Sequence, residues 1–336
     1  MRVATLCRYV SAIASVLVAL CFLNRPRFWW QEIVCNLALY LLPWLIVELY
    51  CNAKWLWKKR SPRALVAVSF LTSGYSAYSI LVSALPYFHY NRWPVADEKT
   101  AEKVRILFVD DCQFSGSQIS EMRTRYQPDL VVAAGAARES LSIIGQYLPY
   151  RYDFDGEKGL SITSSLRIEE RGVPNLGFNA RAGGVVALRL STGRAVDFGV
   201  VNLRPAFSTV EFERNRISAR RLASYMRNSD STRIAIGNLY ATQFSQVASV
   251  FTSQARLRSV WYGRGLVKTY HMGYPLMHFS LLHGFVSRDL FPSRVERVAI
   301  SGCALAGFFT EVEVYQPAGN REEHTELEST LDEADS

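Results

Sequence analysis

Three long apolar stretches crowd the first ninety of 336 residues: Val3 to Leu23, Trp29 to Tyr50 and Ala64 to Phe88. As helices, each is long enough to cross a hydrocarbon core of about 30 Å. The first alone would read as a secretory signal with Arg2 and Arg8 as its basic leader, but two more stretches follow at once. The expectation is therefore a retained transmembrane anchor of three helices over residues 1–88. Glu32 and Glu48 lie near the ends of the second stretch, where a carboxylate can reach the interface, and they are expected there rather than in a proton path. Trp29, Trp30, Trp55, Trp57 and Trp93 sit at the stretch ends, as amphipathic rings do at headgroup level.

Short-loop basic residues set the expected orientation. The N-terminus has Arg2 and Arg8, and the loop between the second and third stretches has Lys54, Lys58, Lys59, Arg60 and Arg63, against Arg25 and Arg27 in the loop between the first and second. The positive-inside rule puts the N-terminus in the cytoplasm, and three crossings put the rest outside, as in a protein of the bacterial inner membrane with a periplasmic domain. Net charge is +8, yet residues 320–336 hold seven acids and one base, leaving +14 on the rest. With much of that charge flanking apolar runs, a membrane accounts for it better than nucleic acid does. At 49% hydrophobic and 20% charged, the chain is not of disordered composition. Residues 89–103 read as a linker, 104–318 as a folded domain, and 319–336 as an acidic disordered tail.

Within the domain, short β-branched runs alternate with amphipathic segments. Val104–Asp110, Asp129–Gly135, Gly159–Ser165, Arg233–Asn238, Ser280–Ser287, Arg297–Gly302 and Phe308–Tyr315 read as strands. Two more strands flank a tight Ser191-Thr192-Gly193 hairpin. Helices are expected after Ser117, over Ala136–Gln146, over Glu211–Asn228 and over Phe244–Leu257. Strand pairs as well as single strands between helices imply an α+β domain, a four-layered α/β sandwich of two mixed sheets flanked by helices.

The residues at the strand ends carry a resemblance. Pro128-Asp129-Leu130-Val131-Val132 opens the second strand, Val201-Asn202-Leu203 precedes Pro205, Gly237-Asn238-Leu239-Tyr240-Ala241-Thr242 ends a later strand, and Leu281-Leu282-His283 begins another. In order and spacing the domain resembles the endonuclease/exonuclease/phosphatase superfamily, and most the bacterial branch with three N-terminal membrane spans. The resemblance implies metal-dependent phosphoester hydrolysis, and here its motif positions are degenerate. Asp110 stands for the family's Asn, Gly135 for its metal-binding Glu, and Asn202 for the His of T-H-L. Asn238 and Tyr240 replace Asp and Asn of G-D-F-N, Leu282 the Asp before His283, and Ala304 and Leu305 the Asp-His of the final motif. A hard divalent ion wants carboxylate oxygens, and the general base must take a proton. Gly135 offers no ligand and Leu305 no base. The implied reading is an inactive phosphohydrolase-like protein without a cofactor. It would serve as an accessory, assembly or binding subunit for an integral membrane partner or a lipid-linked ligand, with no nucleic acid. The alternative is an active magnesium-dependent phosphatase or phosphodiesterase on a lipid-linked phosphate with a rearranged site.

Residual chemistry is sparse. Asp110 and Asp111 are adjacent and would point to opposite faces of a strand. His271, His278 and His283 have spacings that fit no compact metal motif. In the resembled fold the first and last motifs converge, which implies proximity and a possible disulfide between Cys112 and Cys303 in an oxidising compartment.

Overall fold

The computed structural model describes residues 3–23, 29–57, 63–89, 102–110, 115–135, 138–154, 160–170, 176, 183–265, 269–271, 278–298 and 307–315. The N-terminal region is helical: α1 (Val3–Leu23), α2 (Trp29–Asn36), α3 (Ala38–Trp57) and α4 (Arg63–Phe88). By length and composition one helix among the described residues, Ala64–Phe88, is long and apolar enough to cross a membrane, and Leu6–Phe22 is a shorter apolar helix. The expectation of three such spans is thus met by one. The expected second span is not a single helix, because a turn at Leu37 separates α2 from α3.

α3 runs on past Tyr50 to Trp57, which places Glu48 in the middle of a helix rather than near its end, with its side chain buried inside the bundle. Ser11 of α1 donates to Glu48 Oε2, Ser69 of α4 donates to Oε1 at 2.8 Å, and Asn52 Nδ2 bridges Glu48 Oε1 (3.2 Å) and Ser69 Oγ (2.9 Å). One carboxylate thereby ties three helices together, with Ser73 Oγ to Ser15 Oγ (3.0 Å) as a second polar tie. A buried carboxyl group is tolerable when its oxygens are hydrogen-bonded in this way. The Glu32 side chain lies outside the described residues.

The rest of the chain runs β1 (Glu102–Asp110), α5 (Gly116–Tyr126), β2 (Leu130–Ala134), α6 (Arg138–Gly145), β3 (Tyr150–Asp153), β4 (Leu160–Ser164), β5 (Arg167–Glu170), β6 (Gly183–Arg189), β7 (Ala195–Asn202), α7 (Thr209–Asn228), β8 (Thr232–Asn238), α8 (Gln246–Ser253), β9 (Arg258–Ser259), β10 (Tyr270–His271), β11 (His278–Phe279), β12 (Leu282–Val286), β13 (Leu290–Val298) and β14 (Gly307–Val314). One sheet has the order β13-β14-β1-β2-β4-β3 and the other β5-β6-β7-β8-β12-β9. Each contains one parallel pair, β1 with β2 and β7 with β8, flanked by antiparallel partners. The two sheets are therefore built on the same plan.

Period-2 alternation sorts the side chains into layers. Ile106, Phe108, Val132, Ile162, Phe198, Val200, Ile234, Ile236 and Phe308 meet between the sheets. Leu107, Val109, Val131 and Phe309 face outward onto α5 and α6, while Val201, Ala235 and Phe285 face outward onto α7 and α8. The result is the four-layered sandwich expected from the sequence.

Boundaries differ where caps decide them. Ser115, not Ser117, caps α5, and it forms a reciprocal capping box with Gln118. Ser245 caps α8, accepting from the Ala248 amide at 3.0 Å, so that helix begins at Gln246 rather than Phe244. The strand expected at Arg297–Gly302 is instead Leu290–Val298. This is a sheet edge, where Pro292 can sit beside an irregularity in register without costing a ladder hydrogen bond. The first strand begins at Glu102, two residues inside the expected linker.

Candidate functional site

The parallel pairs bring the described strand-end positions Asp110, Asn202, Asn238 and Leu282 to one end of the sandwich. Asp110 is the last residue of β1, in register with Ala134, and Gly135 follows directly. Asn202 and Asn238 end β7 and β8 in register with each other, and Leu282 of β12 is in register with Asn238. Alternation from the core residues beneath them turns Asp110, Asn202, Asn238 and Leu282 toward the space between the sheets.

At that end the two sheets are joined by a polar contact. Asn238 Nδ2 donates to Asp110 Oδ2 across the layer, and both side chains are buried, at 0% and 3% exposure. The amide is held in place because Asn238 Oδ1 accepts from the backbone N–H of Tyr240 at 3.0 Å. Tyr240 has φ 46°, a left-handed turn that carries its N–H back toward Asn238. The chain path is closed by Leu203 N–H to the Asn238 carbonyl at 2.9 Å.

The described donors alone make a poor divalent-cation site. Magnesium takes oxygen ligands in near-octahedral array, commonly one or two carboxylates with water and substrate phosphate. Asp110 Oδ2 is occupied by an amide donor, Asn238 presents an N–H rather than a second carboxylate, Gly135 has no side chain, and Leu282 is part of the apolar core. Among the described residues no group of three His, Cys, Asp or Glu side chains is placed to hold a metal. Ala304, Leu305, Cys112, Cys303 and Asp111 lie outside the described residues, as do the His271 and His278 side chains.

His283 stands apart from the Asp110–Asn238 contact. One residue on from Leu282, it faces the opposite side of the sheet, toward α8, stacked on Phe285 at 5.8 Å. It is 1% exposed, and its Nε2 lies 2.7 Å from the Ala241 carbonyl, which requires the Nε2–H tautomer. Burial pushes its pKa down from 6.5 to about 4, with the Ala241 and Ser280 backbone opposing the shift. The ring is therefore neutral in the fold. Unfolding lets it take up a proton below its ordinary pKa of 6.5, so stability is full above that pH and is lost as pH falls toward about 4. At about 1.4 kcal/mol per pH unit, roughly 3 kcal/mol should be lost over that window. Denaturant unfolding at neutrality and in mild acid should show this loss, and His283→Gln should flatten it. An unchanged slope in that variant would place the sensitivity elsewhere.

Sequence reasoning missed what lies against this end. Asn36, the last residue of α2, accepts from the Thr242 amide (2.7 Å) and the Thr242 hydroxyl (3.1 Å), within the same turn that holds Asn238 and Tyr240. Phe244 packs against the apolar cluster of the helical bundle, and Tyr40 of α3 meets Phe279 edge-on at 5.8 Å. The C-terminal turn of α4 docks nearby: Gly263 N–H donates to Pro86 O (3.0 Å), Gly265 N–H donates to Tyr87 O (2.6 Å), and Tyr87 packs on Tyr262 at 5.0 Å. No spacing or composition signal marks Asn36 as a partner for Thr242.

Surface grooves on the domain include two formed by described residues. One, of ≈ 480 Å³, lies between α7 and α8 and is lined by Arg220, Arg227 and Gln246, and the other, of ≈ 580 Å³, is lined by Arg123, Asp129 and Tyr147. Neither includes Asp110, Asn202, Asn238 or Leu282.

No family model and no curated protein matches this sequence. Solved structures do match it in fold. An endonuclease/exonuclease/phosphatase from Bacteroides vulgatus aligns at a TM-score of 0.52 with 11% identity, over 64% of this chain and 100% of that one. The human Nocturnin catalytic domain with bound sulfate aligns at 0.50 with 13% identity, over 62% and 93%. An endonuclease/exonuclease/phosphatase from Beutenbergia cavernae aligns at 0.50 with 13% identity, over 63% and 72%. At these identities the likeness shows a shared fold, the one that the strand-end motifs imply.

Proposed function

We propose that this protein is a membrane-anchored, catalytically silent member of the phosphohydrolase fold, acting as an accessory, assembly or binding subunit on the extracytoplasmic face. The observation that carries this reading is the Asp110–Asn238 contact. At a position where the resembled enzymes gather metal-binding oxygens, this chain uses a carboxylate and an amide to satisfy each other and join the sheets. The amide takes one acceptor site of the carboxylate and brings no negative charge of its own, so the contact supplies one acid where a second anionic ligand would be wanted.

The anchor belongs to the same reading. All three expected spans are proposed to cross the bilayer with the N-terminus inside, and the basic loops support this. In that arrangement the C-terminal end of α4 lies at the outer surface and Asn36 in the outer half of the second span, where it holds the Thr242 turn at the motif end of the domain. A ligand reaching that end would come along the membrane, which favours an integral membrane partner or a lipid-linked group over a free solute. A periplasmic phosphatase reporter fused after Tyr315 should be active, and a cytoplasmic reporter at the same point should be silent. The reverse pattern would overturn the orientation and with it the proposed partner.

A further inference from the structure

The sandwich carries few large apolar side chains in the open. Among the described residues from 102 onward, Phe207 is 74% exposed, Val210 59% and Tyr150 43%. The first two are neighbours. They lie on the link from β7 to α7 and on the first turn of α7, just beyond Asn202. Because β7 and β8 are parallel, that link leaves the sheet at the same end as the Thr242 turn that Asn36 of the helical region holds. The exposed apolar pair therefore sits at the end of the domain that faces its own membrane helices.

The presentation is rigid. Ser208 caps α7, accepting from the Glu211 amide at 3.2 Å, and Glu211 Oε2 accepts from the Phe207 amide at 3.1 Å. Asn215 Nδ2 donates to the Arg204 carbonyl at 2.7 Å. Three bonds thus fix a loop whose tip shows a phenyl ring to solvent. Arg204 and Arg214, both exposed, flank the pair, while the nearby acids are engaged: Glu211 with its own cap and Glu213 with Arg216. An aromatic and an aliphatic side chain between exposed arginines match the headgroup region of an anionic bilayer, where rings bury and guanidinium groups meet phosphate.

We infer that the 203–210 segment dips into the outer headgroup layer and forms a second membrane contact for the domain, with anionic phospholipid as its ligand. This contact rests on the anchored reading above. It would add a lipid contact, at the same end of the domain, to the protein contacts that Asn36 and α4 already make. Tyr150 marks the contrast. It starts β3 and pairs with Ser164, which pairs with Leu130 at the opposite end of the sheet from Asp110.

The test uses the full chain in vesicles of phosphatidylcholine with phosphatidylglycerol, carrying p-benzoylphenylalanine in place of Phe207 or, separately, of Tyr150. Irradiation should give a phospholipid-mass adduct at position 207 and none at 150, and Arg204→Glu with Arg214→Glu should lower the adduct yield. Alkaline carbonate extraction run alongside separates the two levels. Protein that stays in the vesicles without a lipid adduct at 207 overturns this contact alone. A cross-link from 207 to a second copy of the chain also overturns it. Protein released by carbonate overturns the anchor, and the contact with it.

Discussion

Asn238→Asp is expected to destabilise the protein by about 2–3 kcal/mol or more, the cost of replacing a buried amide–carboxylate hydrogen bond with two facing carboxylates. The wild-type amide donates to Asp110 Oδ2 while its own oxygen takes the Tyr240 N–H. An ionised Asp keeps the second bond and loses the first. Two carboxylates then face each other between the sheets, and they must repel or share a proton. Against a net stability of about 5–15 kcal/mol, such a loss is readily measured as a shift in urea midpoint for the detergent-solubilised protein. The double variant Asp110→Asn with Asn238→Asp exchanges donor and acceptor and should recover much of the loss, which a two-site cycle would register as coupling. A neutral Asn238→Asp would show that the contact contributes nothing. The substitution is also informative because it restores the acid that the resembled motif carries at this position. A site merely waiting for its metal should tolerate that acid.

The second large effect is expected at Gly237. Here β7 and β8 approach so closely that a Cβ would stand 1.8 Å from the Val201 carbonyl oxygen and 2.7 Å from its Cγ1. The obstacle is backbone in a central parallel pair, and it cannot swing aside as a side chain does. Gly237→Ala should therefore cost about 3 kcal/mol or more, at the upper end of overpacking effects. Gly193→Ala is the control. That residue has φ 79° in the β6–β7 hairpin, and an added methyl there would meet nothing within 4 Å, so only the left-handed backbone is penalised, by about 1 kcal/mol. Equal losses at the two positions would remove the packing explanation for the glycine of the Gly237-Asn238 turn.

Much of this fold is legible in the sequence because the central strands are continuous apolar runs. Leu130–Ala134 is buried at every position, as expected of a strand covered on both faces. The segments that the sequence hides are edges and fragments. Tyr150–Asp153 and Arg167–Glu170 are short, polar outer strands, and Arg258–Ser259, Tyr270–His271 and His278–Phe279 are two residues each, so none has a period to read. The motif end is legible position by position, since Asp110, Asn202, Asn238 and Leu282 do arrive at one place. Pairing is what a sequence does not display. Nothing local says that Asn238 will donate to a residue 128 positions away, or that Asn36 will hold Thr242 from 206 away. Glu48 departs from its expected place because α3 continues past Tyr50 to Trp57, and a carboxylate expected near a helix end becomes a buried tie of the bundle. His283 belongs to the motif by sequence, yet alternation turns it to the far side of the sheet.

The most direct measurement is phosphoester hydrolysis by the purified full-length protein, assayed with magnesium and with manganese on phosphomonoesters, phosphodiesters and a lipid-linked phosphate. With Asp110 bound to an amide and Gly135 in place of a ligand, turnover is expected to stay at the metal-free background, and Asp110→Ala should leave that background unchanged. Robust metal-dependent turnover, abolished by Asp110→Ala, would contradict the central claim and establish a remodelled enzyme.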